Sequence, residues 1–210
     1  MNRTIYAYIG VIGSGKDYAS KAKSEELSAK IFDFSDGVRD ITFGFLGYTP
    51  KCNDDYVLFK MNENKLMFPI KEGLFKQPAF SVCNLTGRKF LENVGITMRN
   101  YDKDFWAKYT INKCREFLYN EIKENRLVNF LIFNAVRYKN EAQFLIDLAD
   151  EFGYDLQFIF TNYKSDRYEI RNDDSEKFAQ YFLNEGFDHM DNITEEVYPY
   201  VTGKFLEGGD

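Results

Sequence analysis

The residues best suited to chemistry stand together near the start, as Gly10-Val11-Ile12-Gly13-Ser14-Gly15-Lys16-Asp17. Glycines let a backbone turn tightly enough for several amide N–H groups to converge on one anion. A helix N-terminus adds roughly half a positive charge there. A lysine opening that helix reaches the β- and γ-phosphates of a nucleotide. The spacing fits G-x-x-x-x-G-K, with Asp17 where the pattern usually places Ser or Thr. On this reading Gly10, Gly13, Ser14, Gly15, Lys16, Asp17 and Tyr18 are the ATP-binding set. The plainer alternative is a glycine turn beside a surface lysine.

A phosphate loop needs a strand before it and a helix after it. Thr4-Ile5-Tyr6-Ala7-Tyr8-Ile9 is β-branched and aromatic enough for a buried strand, and Tyr18, Ala19, Lys21 and Ala22 continue as a helix. Lys30–Ser35 reads as a second strand, followed by a helix bearing Val38, Ile41, Phe45 and Leu46. A helix between two apolar strands is the βαβ signature of a parallel sheet, whose ligands bind at the carboxyl ends of the strands. Asp33, Ser35, Asp36 and Arg39 are therefore expected near the mouth of the loop.

Further along, residues 50–83 suggest a β-hairpin around Asn62-Glu63-Asn64-Lys65, an insertion that either encloses a second substrate or forms a dimer surface. Thr86 is expected to cap a short helix ending near Gly95, and Asp102 or Asp104 a long helix carrying Phe105, Trp106, Tyr109, Cys114, Phe117 and Leu118. Leu127–Phe133 reads as the central strand, followed by a helix that stops near Gly153 and by a strand at Leu156–Phe160. Asn140 and Glu141 read as caps of that helix. The polar stretch 162–174 suggests a lid. A helix through Phe178 and Phe182 follows, capped by Asp173 or Asp174, and a last helix runs through Val197 and Val201. The expected fold is α/β: one domain over residues 1–210, with a parallel sheet flanked by helices, the inserted hairpin and the short lid.

Composition narrows the partners. The chain has 210 residues and a net charge of −6, which argues against general nucleic-acid binding. A local pocket of amides and a few cations can still hold a nucleotide. No 18-residue apolar run is present, so neither a membrane span nor a signal peptide is expected. Cys52, Cys83 and Cys114 lack metal spacing, which fits reduced thiols in a cytoplasmic protein.

Several pieces resemble the phage-type deoxynucleoside monophosphate kinases, within the P-loop nucleotide kinases. Ser14-Gly15-Lys16-Asp17 is similar to that family's S-G-K-D-T, with Tyr18 in place of the threonine. Ile31–Arg39 is similar to its F-A-D-P-L-K segment, with Arg39 for the lysine. Arg88–Arg99 resembles R-x-x-L-Q-x-x-G-T-x-x-R, with Glu92 for the glutamine, and Trp106 follows at family-like spacing. Phe133–Ala142 resembles D-x-R-F-x-N-E-A, with Asn134 for the aspartate, and Asp174-Ser175-Glu176 is similar to H-x-S-E. Residues 5–195 are covered, apart from the hairpin region.

The resemblance implies transfer of the ATP γ-phosphoryl, with Mg2+, to a (deoxy)nucleoside monophosphate. It implies Lys16, Arg99, Arg137, Arg167 and Arg171 as catalytic residues. Asp33, Ser35, Arg39, Arg88, Arg99, Trp106 and Asn134 become the acceptor-binding set. Asp17 and Asp33 are the expected metal ligands, since Asp33 or Asp36, each at a neighbouring strand end, stands in for the oxygen ligands lost at Tyr18 and Asn134. A homodimer is plausible on the same grounds. Two alternatives stay open: a P-loop kinase for another small acceptor, and a degenerate nucleotide-binding module with a regulatory role. Tyr18 and Asn134 favour the latter.

Overall fold

Alternation along Thr4–Ile9 sets the middle of the sheet. In the computed structural model, which describes residues 3–45, 87–165, 168–170 and 174–203, Ile5, Ala7 and Ile9 enter one apolar core and Tyr8 a second. A strand apolar on both faces must be covered on both, as parallel α/β sheets are. The chain divides into two compact units, residues 1–35 with 107–210, and residues 36–106.

The first unit carries a five-stranded sheet, among the described residues, in the order β2-β3-β1-β4-β5. Its strands are β1 (Thr4–Ile9), β2 (Lys30–Asp33), β3 (Phe130–Val136), β4 (Asp155–Phe160) and β5 (Asp191–Asn192). β1 runs parallel to both β3 and β4, and β2 parallel to β3, while β5 pairs antiparallel with β4. The helices of this unit include α1 (Lys16–Leu27). The second unit contains α2 (Asp36–Phe45) and α3 (Gly87–Tyr101). The helix α4 (Phe105–Lys123) belongs to the first unit from Ala107 onward. α5 (Lys139–Phe152), α6 (Lys177–Asn184) and α7 (Thr194–Thr202) complete the first unit. Its larger core gathers Phe32, Phe133, Phe158 and Phe160 of the sheet with Ile111 and Leu118 of α4, Leu145 and Leu148 of α5, Phe182 of α6 and Val197 of α7. Tyr8, Ile132 and Ile159 form the smaller cluster, with Ala19 of α1 packed on it.

Several boundaries depart from expectation. β2 stops at Asp33 rather than Ser35, because the Asp33 carboxylate accepts both the backbone N–H and the hydroxyl of Ser35 at 2.7 and 2.6 Å. That Asx turn takes the chain out of the ladder. β3 spans Phe130–Val136 rather than Leu127–Phe133: Leu127 is exposed, and the Val128 carbonyl accepts from Tyr154. The strand also carries an extra residue. Ala7 stands opposite Phe133 and Ile9 opposite Val136, so two steps on β1 match three on β3. The bulge falls at Asn134 and Ala135, and Ala135 has the unusual φ of 56°. α3 does not end near Gly95 but continues to Tyr101. A helix-interior glycine costs only about 1 kcal/mol, and the Gly95 carbonyl accepts the indole N–H of Trp106 at 3.0 Å. β5 was not expected at all. The helix at 177–184 lacks a side-chain cap; Asp174 instead pairs with Lys177 at 2.6 Å.

Thr86, the hairpin at 50–83, Cys52, Cys83, Asp173, Arg167 and Arg171 lie outside the described residues. Cys114 is free and buried, and burial pushes its thiol up to about 12. No helix among the described residues is long and apolar enough to cross a membrane.

Candidate functional site

The strand order places a reversal at β1: the connection after it leads by α1 to the β3 side, and β4 lies on the other side. Crevices outside the carboxyl ends of parallel strands form at such points. The glycine loop leaves β1 there. Its first glycine is set by space: a Cβ on Gly10 would overlap Ser14 Oγ and lie 2.5 Å from Thr161 Oγ1. Its last, Gly15, caps α1 at φ 84°, in the left-handed region that side chains disfavour.

The chain after β4 grips this loop by its carbonyls. Tyr163 N–H donates to the Ser14 carbonyl at 3.0 Å, the Ser165 hydroxyl to Gly13 at 2.7 Å, and Glu169 N–H to Ile12 at 3.1 Å. A trans peptide points its C=O and the next N–H in opposite directions. Holding the Ile12 and Ser14 carbonyls therefore turns the Gly13 and Gly15 amides away from that segment. The first turn of α1 adds N–H groups with no intrahelical acceptor. Ser14 Oγ and Thr161 Oγ1 share a buried hydrogen bond of 3.0 Å, and Thr161 donates on to the Ile9 carbonyl at 3.1 Å.

Lys16 folds back over the loop, 5% exposed, and its Nζ donates to the Val11 carbonyl at 2.9 Å. Burial lowers its pKa below the ordinary value of 10.5, and the Arg137 guanidinium lowers it further. Asp17, Glu176 and Asp33 act in the opposite direction. The ammonium thus sits among three carboxylates and one guanidinium of the first unit.

Beside it lies a short polar bridge. Asn134 Nδ2 donates to Asp17 Oδ1 at 2.7 Å and to Asp33 Oδ2 at 3.2 Å. Its Oδ1 is buried without a hydrogen-bond partner. Ser35 is tied to the same Asp33. Arg137, directly after β3, is half-buried, and its backbone N–H and that of Tyr138 donate to the buried Glu141 carboxylate at 2.8 and 3.2 Å. Glu141 therefore caps α5, as expected. Tyr18 is 82% exposed, and the exposed Tyr163 and His189 rings stand 6.0 Å apart next to Gly15.

The other expected residues that the structure describes belong to the second unit. Arg39 pairs with Asp36 at 2.9 Å. Arg99 lies in the last turn of α3. Arg88 lies in its first turn, with its side chain outside the described ones. Trp106 is fully buried, and its only polar atom is engaged by Gly95. The structure thus brings Lys16, Asp17, Asp33, Ser35, Asn134 and Arg137 together within one unit.

Sequence reasoning did not single out Thr161, Tyr163, Ser165 or Glu169. The available signal was a polar run following the apolar strand β4 at its carboxyl end, where such sheets bind ligands. Glu176 was visible only through its resemblance motif; its carboxylate is 1% exposed and accepts Ile12 N–H at 3.2 Å. No protein-family model matches this chain, and no curated protein matches it either.

Proposed function

We propose that this protein is a P-loop phosphotransferase that moves the γ-phosphoryl of ATP to a (deoxy)nucleoside monophosphate, as its motif resemblance to the phage-type kinases implies. The observation that carries the reading is Lys16. It is a buried ammonium held over a glycine loop and the first turn of a helix, at the carboxyl edge of a parallel sheet. A buried cation whose described hydrogen bond is to a loop carbonyl gains by exchanging that carbonyl for phosphate oxygens.

The acceptor phosphate is already ionised, so no strong base is required. Catalysis becomes positioning and charge neutralisation. Lys16 and the loop amides hold the donor phosphates. Arg137, close enough to depress the Lys16 pKa, supplies a second fixed positive charge at the same edge. Arg39, Arg88 and Arg99 are the candidates to fork onto the acceptor, and Arg167 and Arg171 to close over the donor.

The donor set also fits Mg2+. This ion keeps most of its waters and takes one or two carboxylates besides substrate phosphates. Asp17 and Asp33 supply two carboxylates, and the unpartnered Asn134 oxygen becomes a third oxygen once the amide rotates. When bound, the ion neutralises charge on the transferring phosphoryl. No group of three or more His, Cys, Asp or Glu that could hold a metal occurs among the described residues.

A second reading draws on Asn134. An amide stands between the two carboxylates where the resemblance calls for a third carboxylate, which favours a nucleotide-binding module without transfer. One assay separates the two: ADP release from ATP and Mg2+, with a panel of dNMPs and NMPs and with unrelated acceptors. Acceptor-dependent release that disappears in a folded Lys16→Ala variant supports the kinase. Full turnover in Lys16→Ala refutes it, and ATP binding with no release for any acceptor selects the binding module.

A further inference from the structure

We propose that Ser165 is a positioning residue for the donor phosphates: its hydroxyl pins the middle of the glycine loop from behind and keeps the loop's amides turned toward the ligand. The inference rests on the phosphate-loop reading above and names what sets the shape of that loop. Three successive carbonyls, those of Ile12, Gly13 and Ser14, are all taken by the chain that follows β4. Glu169 N–H donates to the first at 3.1 Å, the Ser165 hydroxyl to the second at 2.7 Å, and Tyr163 N–H to the third at 3.0 Å. The other side of the loop follows from the trans peptide, whose C=O and N–H point apart. Ser14 N–H, across from the Gly13 carbonyl, donates to the Val11 carbonyl at 3.2 Å. Lys16 Nζ donates to that same carbonyl at 2.9 Å. The ammonium and the Gly13, Ser14 and Gly15 amides therefore share the front of the loop. The Ile12 N–H, donated to Glu176, belongs to the back, with the strap of Tyr163, Ser165 and Glu169.

The bond from Ser14 to Val11 closes a four-residue turn whose third residue, Gly13, has φ 74°, as a type II turn requires. Rotating the Ile12–Gly13 peptide by about half a turn gives the type I form, with the Ile12 carbonyl in front and the Gly13 amide behind. A carbonyl in front would repel a phosphate. The strap decides between the two forms, because only the first offers the Ile12 carbonyl to Glu169. Of the three strap contacts, the outer two use backbone N–H groups, which any residue but proline supplies. The middle one depends on a side chain, the Ser165 hydroxyl. Around Ser165 the strap is closed on itself: Tyr168 N–H donates to the Ser165 carbonyl at 2.9 Å, and the Tyr168 hydroxyl to Asn162 Oδ1 at 2.9 Å. Losing the Ser165 hydroxyl releases the middle of the loop and lets the flipped form compete. Apparent affinity then falls with the fraction of loops that keep the binding shape.

The test uses the full chain and inorganic tripolyphosphate, with affinity measured by calorimetry well below the melting temperature. Ser165→Ala should bind about 3- to 10-fold more weakly than the parent, the equivalent of one neutral hydrogen bond. Ser165→Thr keeps a hydroxyl and should recover most of that loss. A purely structural role would lower the melting temperature of Ser165→Ala and leave the affinity of the folded protein unchanged. That result overturns the inference while leaving the phosphate loop intact, and so does an equal loss in Ser165→Thr. No binding by the parent overturns the loop reading and this inference with it. If Ser165→Ala does not fold, hydrogen exchange in the parent decides. The Tyr163 and Glu169 amides should be protected with and without tripolyphosphate, whereas the Gly13 and Gly15 amides should exchange readily in the free protein and slow on binding. Fast exchange at Tyr163 and Glu169 in the free protein would show that the strap is not in place, and the proposal would fall.

Discussion

Replacing Gly10 by alanine tests the loop's geometry most directly, because the sign of the effect depends on it. Gly10 is not among the positive-φ glycines, so alanine meets no backbone penalty there. At an open site such a change stabilises by about 0.4–1 kcal/mol, through the unfolded chain. Here the new methyl would overlap Ser14 Oγ and lie 2.5 Å from Thr161 Oγ1 and 2.6 Å from the Thr161 carbonyl oxygen. The hydroxyls can rotate, but the carbonyl belongs to the backbone that leaves β4. Overpacking of this kind costs about 1–3 kcal/mol, and breaking the bond between Ser14 and Thr161 adds about 1 kcal/mol. A net loss near 3 kcal/mol lowers the melting temperature of a chain this size by about 6–12 °C. Calorimetric melting of Gly10→Ala beside the parent gives the answer, and tripolyphosphate binding should weaken at least tenfold as the loop is pushed open. A variant melting at or above the parent's temperature would show that β1, the loop and Thr161 do not approach as described.

Two further outcomes follow from the charges. Lys16 has its pKa lowered in the folded state, so between that value and 10.5 the unfolded chain binds more protons, and stability gains on its account as pH rises through this window. Lys16→Met should lose this gain in a pH series of denaturant melts. In the parent, polyphosphate affinity should fade on the alkaline side before an ordinary lysine would titrate; a fade only above 10.5 would contradict the burial of Lys16. Asn134→Asp replaces the amide donor by a third carboxylate beside Asp17 and Asp33. The variant should lose about 1–3 kcal/mol in melts without divalent ions and regain most of it with millimolar Mg2+, whereas the parent changes little; equal Mg2+ responses would refute the placement of these three side chains.

What could be read from the chain was what neighbouring residues decide. The alternation of Thr4–Ile9, the glycines and Lys16 specify strand, turn and helix from within fourteen residues, and β1 and α1 form where expected. The cap by Glu141 was legible for the same reason, since its partners lie three and four residues away. β3 was misplaced because its start depends on distant contacts. Leu127 looks like strand but is left in solvent, and Val128 is held by Arg3 and Tyr154 rather than by the ladder. The glycine in α3 looked like a stop because the Trp106 indole that meets its carbonyl lies eleven residues on. The contacts of Thr161, Ser165, Glu169 and Glu176 with the loop span about 150 residues or more, and no local pattern encodes them.

The extra residue in β3 has a consequence for how the chain divides its labour. Leu131, Phe133 and Val136 all enter the larger core, although a regular strand would put Val136 on the opposite side from Phe133. Removing Ala135 would restore strict alternation and still send Val136 inward. For folding, then, the strand is one residue longer than it has to be. That surplus, with its left-handed alanine, comes directly after Asn134, which stands opposite Asp33 in regular register and bridges Asp17 and Asp33, so the irregular step falls where the ladder with β2 ends.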